Sequence, residues 1–312
     1  MSARVVILGG GHGVSAVVRA LREEPVAITA IVSVADDGGS SGALRRRWGG
    51  PAVGDIRRSL IALAGEDEGS GRALAAPVTI ARVGRHPLGN LLLHSLAKAF
   101  GDLEAASEWL TGQFGVSAHV LPATTEPVIL TATAGHETIR GESAIGAAPT
   151  RLTRLGFDPP RPEVPAPVID TIAHADWVVI GPGSLFTSVL AVSALPDIRS
   201  VLARTGAYVL WICNLEPEIP ETARMSAADH LATLRSHDVR LDAVLYDPAA
   251  RLHFTAGELA AAHLDGLAHP LVGADPGRHD PMLLSAALRP LLTGGAAGQR
   301  VSPVHPLNNS RK

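Results

Sequence analysis

The chain has 312 residues, of which 46% are hydrophobic and 18% are charged, and this is enough for a sizeable core in one large α/β domain or two smaller ones. Its formal net charge of −3 gives no general attraction to nucleic acid or to an anionic membrane, and the lack of an 18-residue apolar stretch predicts no membrane span. Cys213 is the single cysteine, which excludes an internal disulfide and a cysteine-built metal site and fits a reducing, cytoplasmic setting.

The first predicted elements form a strand–loop–helix–strand unit. Residues 5–8 are a short apolar run that ends at glycine, which is typical of a buried strand. Residues 14–21 place their apolar side chains on one face of a helix, and the apolar run 28–34 predicts the next strand. Such a unit favours parallel strands joined by a right-handed crossover.

Further elements follow along the chain. Helices are predicted at 56–63 and 88–100, a β-hairpin at 128–133 and 137–141, and a surface connection over the proline-rich stretch 155–167. From residue 177 onward strands and helices alternate again. The predicted strands are 177–180, 208–213 and 244–246, and the predicted helices are 188–195, 226–235 and 281–292.

This alternation predicts a Rossmann-like α/β fold, with a doubly wound, mostly parallel sheet and helices on both faces. We expect one large nucleotide-binding domain over residues 1–293, with a hairpin insertion over 124–146, and a flexible C-terminal tail over 294–312. Ligands of such sheets bind beyond the C-terminal ends of the strands, where the strand order reverses. Functional residues are therefore expected directly after strands.

A glycine-rich stretch follows the first predicted strand. It consists of Gly9, Gly10, Gly11, His12 and Gly13. Without a Cβ atom the backbone can approach a phosphate closely, and the helix that follows would direct free N–H groups at it. The string from Gly11 to Ala16 matches a Rossmann-type glycine pattern, although a plain tight turn explains it as well.

A second stretch of small and acidic residues follows the second predicted strand. It consists of Asp36, Asp37, Gly38, Gly39, Ser40 and Ser41. An acid at this point binds the ribose hydroxyls in dinucleotide enzymes, and the small residues suggest a second flexible loop for an extended phosphate ligand. Alternatively, the aspartates cap the next helix. The string around Ser40 also matches a nucleophile elbow, which the two preceding aspartates disfavour.

Gly54 and Asp55 open the next predicted helix, where Asp55 is placed to cap it. The alternative is that Asp55 joins Asp36 and Asp37 around Mg²⁺, since clustered carboxylates bind hard cations together with substrate phosphates. Arg57 belongs to a local basic patch from which one or two side chains could contact phosphate. The patch lacks interleaved aromatic residues, so we do not expect nucleic-acid binding.

Other candidates also follow strands or precede helices. Gly89 and Asn90 begin a helix, and a third glycine and hydroxyl loop, Gly181, Pro182, Gly183 and Ser184, leads into another helix as a further anion site. Asn214 follows a strand, where it could contact a base or a ribose. Arg278 precedes the last helix and could reach a phosphate, while Asp280 could cap that helix.

Several stretches, in this order, resemble the YvcK-like family of gluconeogenesis factors (UPF0052), which is related to CofD, the phospholactate transferase of coenzyme F420 synthesis. They are GGGHGVSAVVRAL, ITAIVSVADDGGSSGALRR, GDIRRSLIALAG, GNLLLHSL, GESAI, ADWVVIGPGSLFTSVL, CNLEPEIPET and RHDP. They extend over nearly the whole chain, and DDGGSSG is quite specific for the YvcK side.

The resemblance implies a Rossmann-like fold that binds a nucleotide ligand, in particular a UDP-sugar such as UDP-N-acetylglucosamine. It implies a cytoplasmic regulatory role in gluconeogenic carbon metabolism, cell shape and peptidoglycan supply, with no established catalytic reaction. Carried over by position, the ligand loops are 9–13, 36–41, 54–55, 89–90 and 181–184, together with Asn214 and Arg278. This sequence has His12 and Arg58 where relatives commonly have threonine and asparagine.

Three other functions stay open at this point. A CofD-like transferase would use Asp36, Asp37 and Asp55 to hold Mg²⁺ and to orient the nucleotide donor of a phosphoryl-containing group. An NAD(P)-binding enzyme is suggested by the glycine pattern, but no hydride-transfer partner is evident. An interaction-only protein would bind no nucleotide. A homodimer is the commonest default for the oligomeric state.

Overall fold

Strands and helices alternate along most of the chain. The computed structural model describes residues 2–66, 69–81, 84–114 and 118–293, so the predicted tail over 294–312 lies outside the described residues. The strands are β1 (Ala3–Gly9), β2 (Val26–Val32), β3 (Pro77–Ile80), β4 (Gly84–Pro87), β5 (Ala118–Pro122), β6 (Ile129–Ala134), β7 (Glu137–Arg140), β8 (Arg154–Asp158), β9 (Trp177–Ile180), β10 (Tyr208–Ile212), β11 (Ala243–Tyr246) and β12 (Asp265–Ala268). The helices are α1 (Gly11–Leu21), α2 (Gly39–Trp48), α3 (Gly54–Ala64), α4 (Gly69–Ala75), α5 (Leu88–Phe100), α6 (Leu103–Gly112), α7 (Glu142–Gly146), α8 (Ala166–Ala173), α9 (Leu190–Ser193), α10 (Pro196–Leu202), α11 (Ala227–Ser236), α12 (Ala256–Ala261) and α13 (Pro281–Thr293), with a π-helical turn at Leu185–Val189.

The main sheet has seven parallel strands in the order β12-β11-β10-β9-β1-β2-β5. Val5 of β1 pairs with Ile28 of β2 on one side and with Trp177 of β9 on the other. The chain therefore builds outward from β1 in both directions, and the strand order reverses between β1 and β9. This confirms the predicted doubly wound, Rossmann-like α/β fold and brings the loops after β1 and β9 together at one edge.

Burial on both faces explains why the strands of this sheet are continuous apolar runs. In β1, every residue from 5 to 8 is at most 1% exposed. Helix α1 packs against α3 and α13, and it buries Val14, Val17 and Leu21 completely. The apolar spacing that predicted this helix therefore marks its core-facing side.

Two small antiparallel sheets accompany the main one. One pairs β3 with β4, and the other has the order β7-β6-β8. The predicted hairpin is β6 and β7, which pair across Gly135 at φ +63°. The prediction of a surface connection over 155–167 is wrong at both ends, because β8 pairs with β6 and α8 begins at Ala166. Leu155 and Phe157 are buried in this strand, since their alternate positions face the core.

Two other sequence-based boundaries also differ from the structure. The stretch predicted as a second flexible loop instead begins helix α2, so Gly39, Ser40 and Ser41 lie in its first turn. Glycine and serine have weak helix propensity, which explains why the sequence did not indicate this start. The helix predicted over 188–195 begins earlier, as the π-helical turn Leu185–Val189, and continues as α9.

No single helix in the described ranges is long and apolar enough to cross a membrane. The pair Leu185–Ser193 and Pro196–Leu202 reaches the required length and hydropathy only when its two parts are combined, and they are bent by 69°.

Candidate functional site

The loops after β1 and β9 pack against each other where the strand order reverses. A Cβ atom on Gly13 would overlap the backbone carbonyl of Pro182, and one on Gly183 would lie 3.1 Å from the Cβ of Ser188. Gly13 is therefore required by contact between the two loops, and Gly183 by contact with the helical turn that follows its own loop, whether or not a ligand is bound.

Gly11 is different because it borders open space. Its φ is +65°, and the nearest atom to an added Cβ is Ser188 Oγ, at 3.8 Å. Helix α1 begins at Gly11, its N-cap Gly10 supplies no side-chain hydrogen bond, and its first turn contains no acidic residue. The first N–H groups of α1 therefore have no side-chain cap, and they begin beside open space. This arrangement is suited to binding a phosphate.

A polar cavity of about 300 Å³ opens beside this loop. Its charged lining residues are Asp36, Asp55, Glu142, Glu218 and Arg58. The other lining residues are Gly10, Gly11, His12, Gly13, Ser33, Gly183, Ser184, Thr187 and Ser188. Carboxylates accept hydrogen bonds and hydroxyls can donate or accept them, so the cavity suits a ligand group rich in hydroxyls.

A larger cleft of about 780 Å³ lies on the other side of the first loop. It shares His12, Gly13, Gly183 and Glu218 with the polar cavity, so the two volumes meet at these residues. The rest of its lining is Ala16, Arg19, Glu66, Pro182, Asn214, Leu215, Glu216, Gly277, Arg278, His279 and Pro281. It combines two arginines, Arg19 and Arg278, with apolar surface, and the predicted contact residue Arg278 is exposed at its rim.

His12 lies at the junction of the two volumes. Its pKa is lowered, chiefly by desolvation and then by the positive charges of Arg58 and Arg278. The ring is therefore neutral at physiological pH, and it acts as a hydrogen-bonding group there and adds no positive charge. His12 and Arg58 both line the polar cavity.

Asp55 lines the polar cavity, but the prediction that it caps α3 is wrong, because the N-cap is Val53. Its carboxylate forms an ion pair with Arg58, one turn along the helix. Burial alone would lower the pKa of the Arg58 guanidinium, but the charge and hydrogen bond of Asp55, together with the charges of Asp36 and Glu142, outweigh burial and raise it. An added Cβ on Gly10 would overlap Asp55 Oδ2. The first loop and α3 thus form one continuous wall of the cavity.

Asp36 and Asp37 have different surroundings although they are adjacent. Asp36 lines the polar cavity, and its Oδ1 accepts a hydrogen bond of 2.9 Å from the backbone N–H of Gly38. Gly54 leaves room for it, since an added Cβ there would lie 3.1 Å from Asp36 Oδ2. Asp37 instead accepts a 2.9 Å hydrogen bond from the backbone N–H of Ser143. It therefore holds the start of α7 and does not line the cavity.

This arrangement corrects the predicted three-carboxylate metal site. Asp36 and Asp55 line one cavity, whereas Asp37 is turned toward α7. Within the described ranges, no group of three or more His, Cys, Asp or Glu side chains is arranged to hold a metal ion. Asp36 and Asp55 still offer two carboxylates, which suit Mg²⁺ held jointly by protein and a bound phosphate.

Glu142 is a cavity residue that we did not select from the sequence. It follows Gly141, whose φ is +101° and whose added Cβ would overlap Asp37 Oδ2. Desolvation, followed by the negative charges of Asp36, Asp37 and Asp55, raises the pKa of Glu142 to about 7. Glu142 belongs to the string GESAI, one of the stretches that resemble the YvcK-like family, and this was the sequence signal for it. No pattern in the sequence linked that string to the other loops.

Ser40, Asn90, Gly89 and Arg57 support the site without lining it. The hydroxyl of Ser40 lies 2.8 Å from His86 Nδ1 and accepts a 2.9 Å hydrogen bond from Asn90 Nδ2. An added Cβ on Gly89 would lie 2.8 Å from Arg57 Cγ, so this glycine allows α3 and α5 to approach. Burial lowers the pKa of the Arg57 guanidinium. These contacts join the first turns of α2, α3 and α5.

The third loop is held by Asn214 and by a buried carboxylate. Asn214 Oδ1 accepts from the backbone N–H of Gly183 at 3.0 Å, and its Nδ2 donates to the Gly183 carbonyl at 2.8 Å. Both ends of the amide bond this backbone, so Asn214 positions the third loop. Asn214 also lines the larger cleft, and its contact with a base or ribose stays a prediction. Glu221 accepts from Phe186 N at 2.8 Å and from the Ser184 hydroxyl. Burial raises its pKa despite these bonds.

The structure thus divides the predicted site residues into two sets. Those that line one of the two volumes are Gly10, Gly11, His12, Gly13, Asp36, Asp55, Pro182, Gly183, Ser184, Asn214 and Arg278. Those that line neither are Gly9, Asp37, Gly38, Gly39, Ser40, Ser41, Gly54, Arg57, Gly89, Asn90 and Gly181. Several residues of the second set still shape the loops around the cavity through the contacts described above. They are Asp37, Ser40, Gly54, Arg57, Gly89 and Asn90.

The fold and cleft define a Rossmann-like α/β protein whose first helix begins, without a side-chain cap, at the switch point of the sheet. The family model of 2-phospho-L-lactate transferase CofD matches residues 5–259. The chain belongs to this family.

Its relatives include proteins that carry the name gluconeogenesis factor. A protein from Deinococcus radiodurans, named "Putative gluconeogenesis factor", is 36% identical over 315 residues, which cover 93% of this chain and 66% of that protein. The "Gluconeogenesis factor" of Bacillus subtilis is 36% identical over 241 residues, covering 75% of this chain and 74% of that protein. A crystal structure of a UPF0052 family member from Bacillus halodurans superposes with a TM-score of 0.87 at 30% identity, covering 92% of this chain and 99% of that one.

Proposed function

We propose that this protein binds a nucleotide sugar, such as UDP-N-acetylglucosamine, as a regulatory ligand at the switch point of its sheet. The main support for this proposal is the open space beside Gly11. This glycine opens the N-terminus of α1 to empty space where two otherwise tightly packed loops meet. A diphosphate at that point would accept hydrogen bonds from main-chain N–H groups and lie along the favourable helix dipole.

The two volumes on either side of the first loop differ in charge, and this orients the ligand. The polar cavity carries four carboxylates against Arg58, so beyond the start of α1 it disfavours a phosphate and can accept hydrogen bonds from sugar hydroxyls. The larger cleft is less negative, because Arg19 and Arg278 offset most of the charge of Glu66, Glu216 and Glu218, and together with Leu215 this suits the nucleoside side of a diphosphate. A nucleotide sugar therefore fits with its diphosphate at 11–13, its sugar in the polar cavity and its nucleoside in the larger cleft.

The regulatory role is proposed from the relatives. Proteins that share most of this chain are named gluconeogenesis factors, and we extend a role in gluconeogenic carbon metabolism to this protein. We further propose that it acts in the cytoplasm, where a nucleotide sugar would report on supply for the cell wall and so on cell shape. The paired volumes support a ligand sensor, because they would hold a whole nucleotide sugar without requiring a reaction.

The test compares two glycine variants that have similar backbone strain. Gly11→Val places a branched side chain where the phosphate must approach, and we expect at least a tenfold loss of affinity for UDP-N-acetylglucosamine in calorimetry. Gly135→Val, in the hairpin turn at φ +63° with no atom within 4 Å of its added Cβ, should keep wild-type affinity. Equal affinities in both variants would remove the first loop from the site.

Thermal melting identifies the ligand. A nucleotide that binds the folded state raises the melting temperature as its concentration rises. We expect UDP-N-acetylglucosamine to give the largest shift in a set that includes UDP, GDP and NAD. A shift with GDP or NAD and none with the UDP-sugar would reject the proposed ligand.

A CofD-like transferase is the second candidate, favoured by the family match over 5–259 and by Asp36 and Asp55 in one cavity. Those two residues would hold Mg²⁺, which would neutralise the charge that develops on a transferred phosphoryl-containing group. Asp55 would keep Arg58 in place beside it. Magnesium-dependent turnover of a nucleotide phosphodiester donor that is lost in Asp55→Asn would favour this function over a purely regulatory one.

A further inference from the structure

A third cavity of about 420 Å³ lies between the end of α2, the second half of α5 and the start of α6. No residue that lines it also lines the polar cavity or the larger cleft. Its volume is in the range of small-molecule sites, and its lining exposes more apolar than polar surface, from side chains that include Pro51, Ala97 and Leu103. A ligand in this cavity would therefore contact none of the residues that line the other two volumes.

Trp48 provides an aromatic wall for this cavity. It is the last residue of α2 and is 48% exposed, although tryptophan usually buries most of its surface. One contact fixes its ring, an edge-to-face arrangement with His94 at 5.9 Å between ring centroids. An exposed indole held in this way is suited to stack on a planar aromatic ligand.

Lys98 supplies the charge at the same cavity. It is exposed, lies one turn beyond His94 on α5, and forms no ion pair with a carboxylate in the described part of the chain. Asp102 also lines the cavity, but its two oxygens accept from the backbone N–H groups of Glu104 and Ala105 at the start of α6. The ammonium group of Lys98 is therefore available to a ligand anion.

His94 adds an unsatisfied polar group. Its Nε2 is buried and has no hydrogen-bond partner among the described residues, and burial lowers the pKa of the ring so that it stays neutral. Aromatic surface, a cation and a neutral imidazole thus surround one apolar space.

We propose that this cavity is a second ligand site, which takes a planar aromatic carboxylate of one or two fused rings. The ring system stacks on Trp48 against Ala97 and Leu103, and the carboxylate faces Lys98. The site is independent of the nucleotide proposal, because the two sets of lining residues do not overlap.

The probes are 2-naphthoate and its neutral analogue 2-naphthylmethanol, titrated calorimetrically into the full chain. We expect saturable binding of 2-naphthoate that weakens about tenfold in Trp48→Ala, through lost stacking and burial. Trp109→Ala is the matched control, since Trp109 is 49% exposed on α6 but does not line the cavity, and it should bind as wild type. Gly11→Val should also bind 2-naphthoate as wild type.

The charged group is tested with Lys98→Gln. This variant should lower the affinity for 2-naphthoate by up to about fivefold, which is the effect of one exposed charge pair. Its affinity for the neutral 2-naphthylmethanol should stay unchanged. Absence of saturable binding at millimolar 2-naphthoate, or equal losses in Trp48→Ala and Trp109→Ala, would overturn the proposal. A wild-type dimer that dissociates in Trp48→Ala during sedimentation would also overturn it, because the cavity would then be an interface between two copies.

Discussion

At the scale of single residues, the acidic side chains of the site differ in what they contact. Asp36 faces the polar cavity, Asp37 anchors α7, and Asp55 pairs with Arg58. The sequence predicted their shared neighbourhood, because all three follow or begin elements at the same edge of the sheet. It did not predict their directions, because side-chain direction in a loop depends on local dihedral angles and on partners far along the chain.

Asp37→Ala should lower the free energy of unfolding by about 1 kcal/mol, the usual value of a hydrogen bond to a helix N-terminus. Urea unfolding measures this loss. Asp170→Ala is the control, because Asp170 is exposed on α8 and its carboxylate accepts no hydrogen bond among the described residues, so this variant should keep wild-type stability. Equal stability losses in the two variants would contradict the anchoring role of Asp37.

Glu142 should make stability depend on pH. Its pKa is raised from 4.5 to about 7 by desolvation and by neighbouring carboxylates, so between these values the folded state binds more protons than the unfolded state. Its contribution is therefore favourable at low pH and is lost as pH rises toward 7. Glu142→Gln removes this effect, and we expect its stability relative to wild type to increase by about 1–2 kcal/mol from pH 5 to pH 8, allowing for partial exposure.

Denaturant unfolding at a series of pH values tests the predicted direction of this pH dependence. Glu137→Gln is a suitable control, because Glu137 is exposed on β7, the strand that precedes α7. The stability difference between Glu137→Gln and wild type should stay nearly constant with pH. If the stability difference between Glu142→Gln and wild type instead stays constant with pH or changes in the opposite direction, the pKa of Glu142 is not raised in the folded state.

At the scale of elements, the contact between the first and third loops decides which glycines are structural. Gly13 lies against the carbonyl of Pro182, whereas Gly11 borders open space. In the sequence both belong to one glycine pattern. The pattern alone does not tell whether a glycine is required for contact with a neighbouring loop or for the approach of a ligand. That distinction requires the long-range pairing of β1 with β9.

Gly13→Ala should therefore destabilise the fold by about 2–3 kcal/mol, because the methyl group forces the two loops apart. Gly112→Ala, at the end of α6 with no atom within 4 Å of its added Cβ, should change stability little. Guanidinium unfolding compares the two variants. Equal midpoints would mean that the loops do not contact each other in this way.

Some elements were predicted and others were not, for physical reasons. The strands at the centre of the main sheet were predicted because burial on both faces requires continuous apolar runs. Strands β3 and β4 were not, because they are short and largely exposed and they carry proline and glycine. Glu142 was missed as a cavity residue because only the pairing of β6 with β7, together with the Asp37 contact, brings it to the switch point.

At the scale of the whole molecule, the doubly wound order of the sheet brings distant loops to one place. Segments near residues 11, 36, 55, 142 and 183 meet around one polar cavity although they are far apart in the chain. The alternation of elements predicted this edge as the site, since parallel strands end there together. The separation of that edge into a polar cavity and a larger cleft depends on side-chain packing, and the sequence did not indicate it.

The most direct test of the central claim is a crystal structure of the protein grown with UDP-N-acetylglucosamine. We expect the diphosphate oxygens within about 3 Å of main-chain nitrogens at the start of α1, between residues 11 and 13. The sugar should lie in the cavity lined by Asp36 and Glu142. A bound nucleotide that lies elsewhere, with those nitrogens turned toward solvent, would contradict the account.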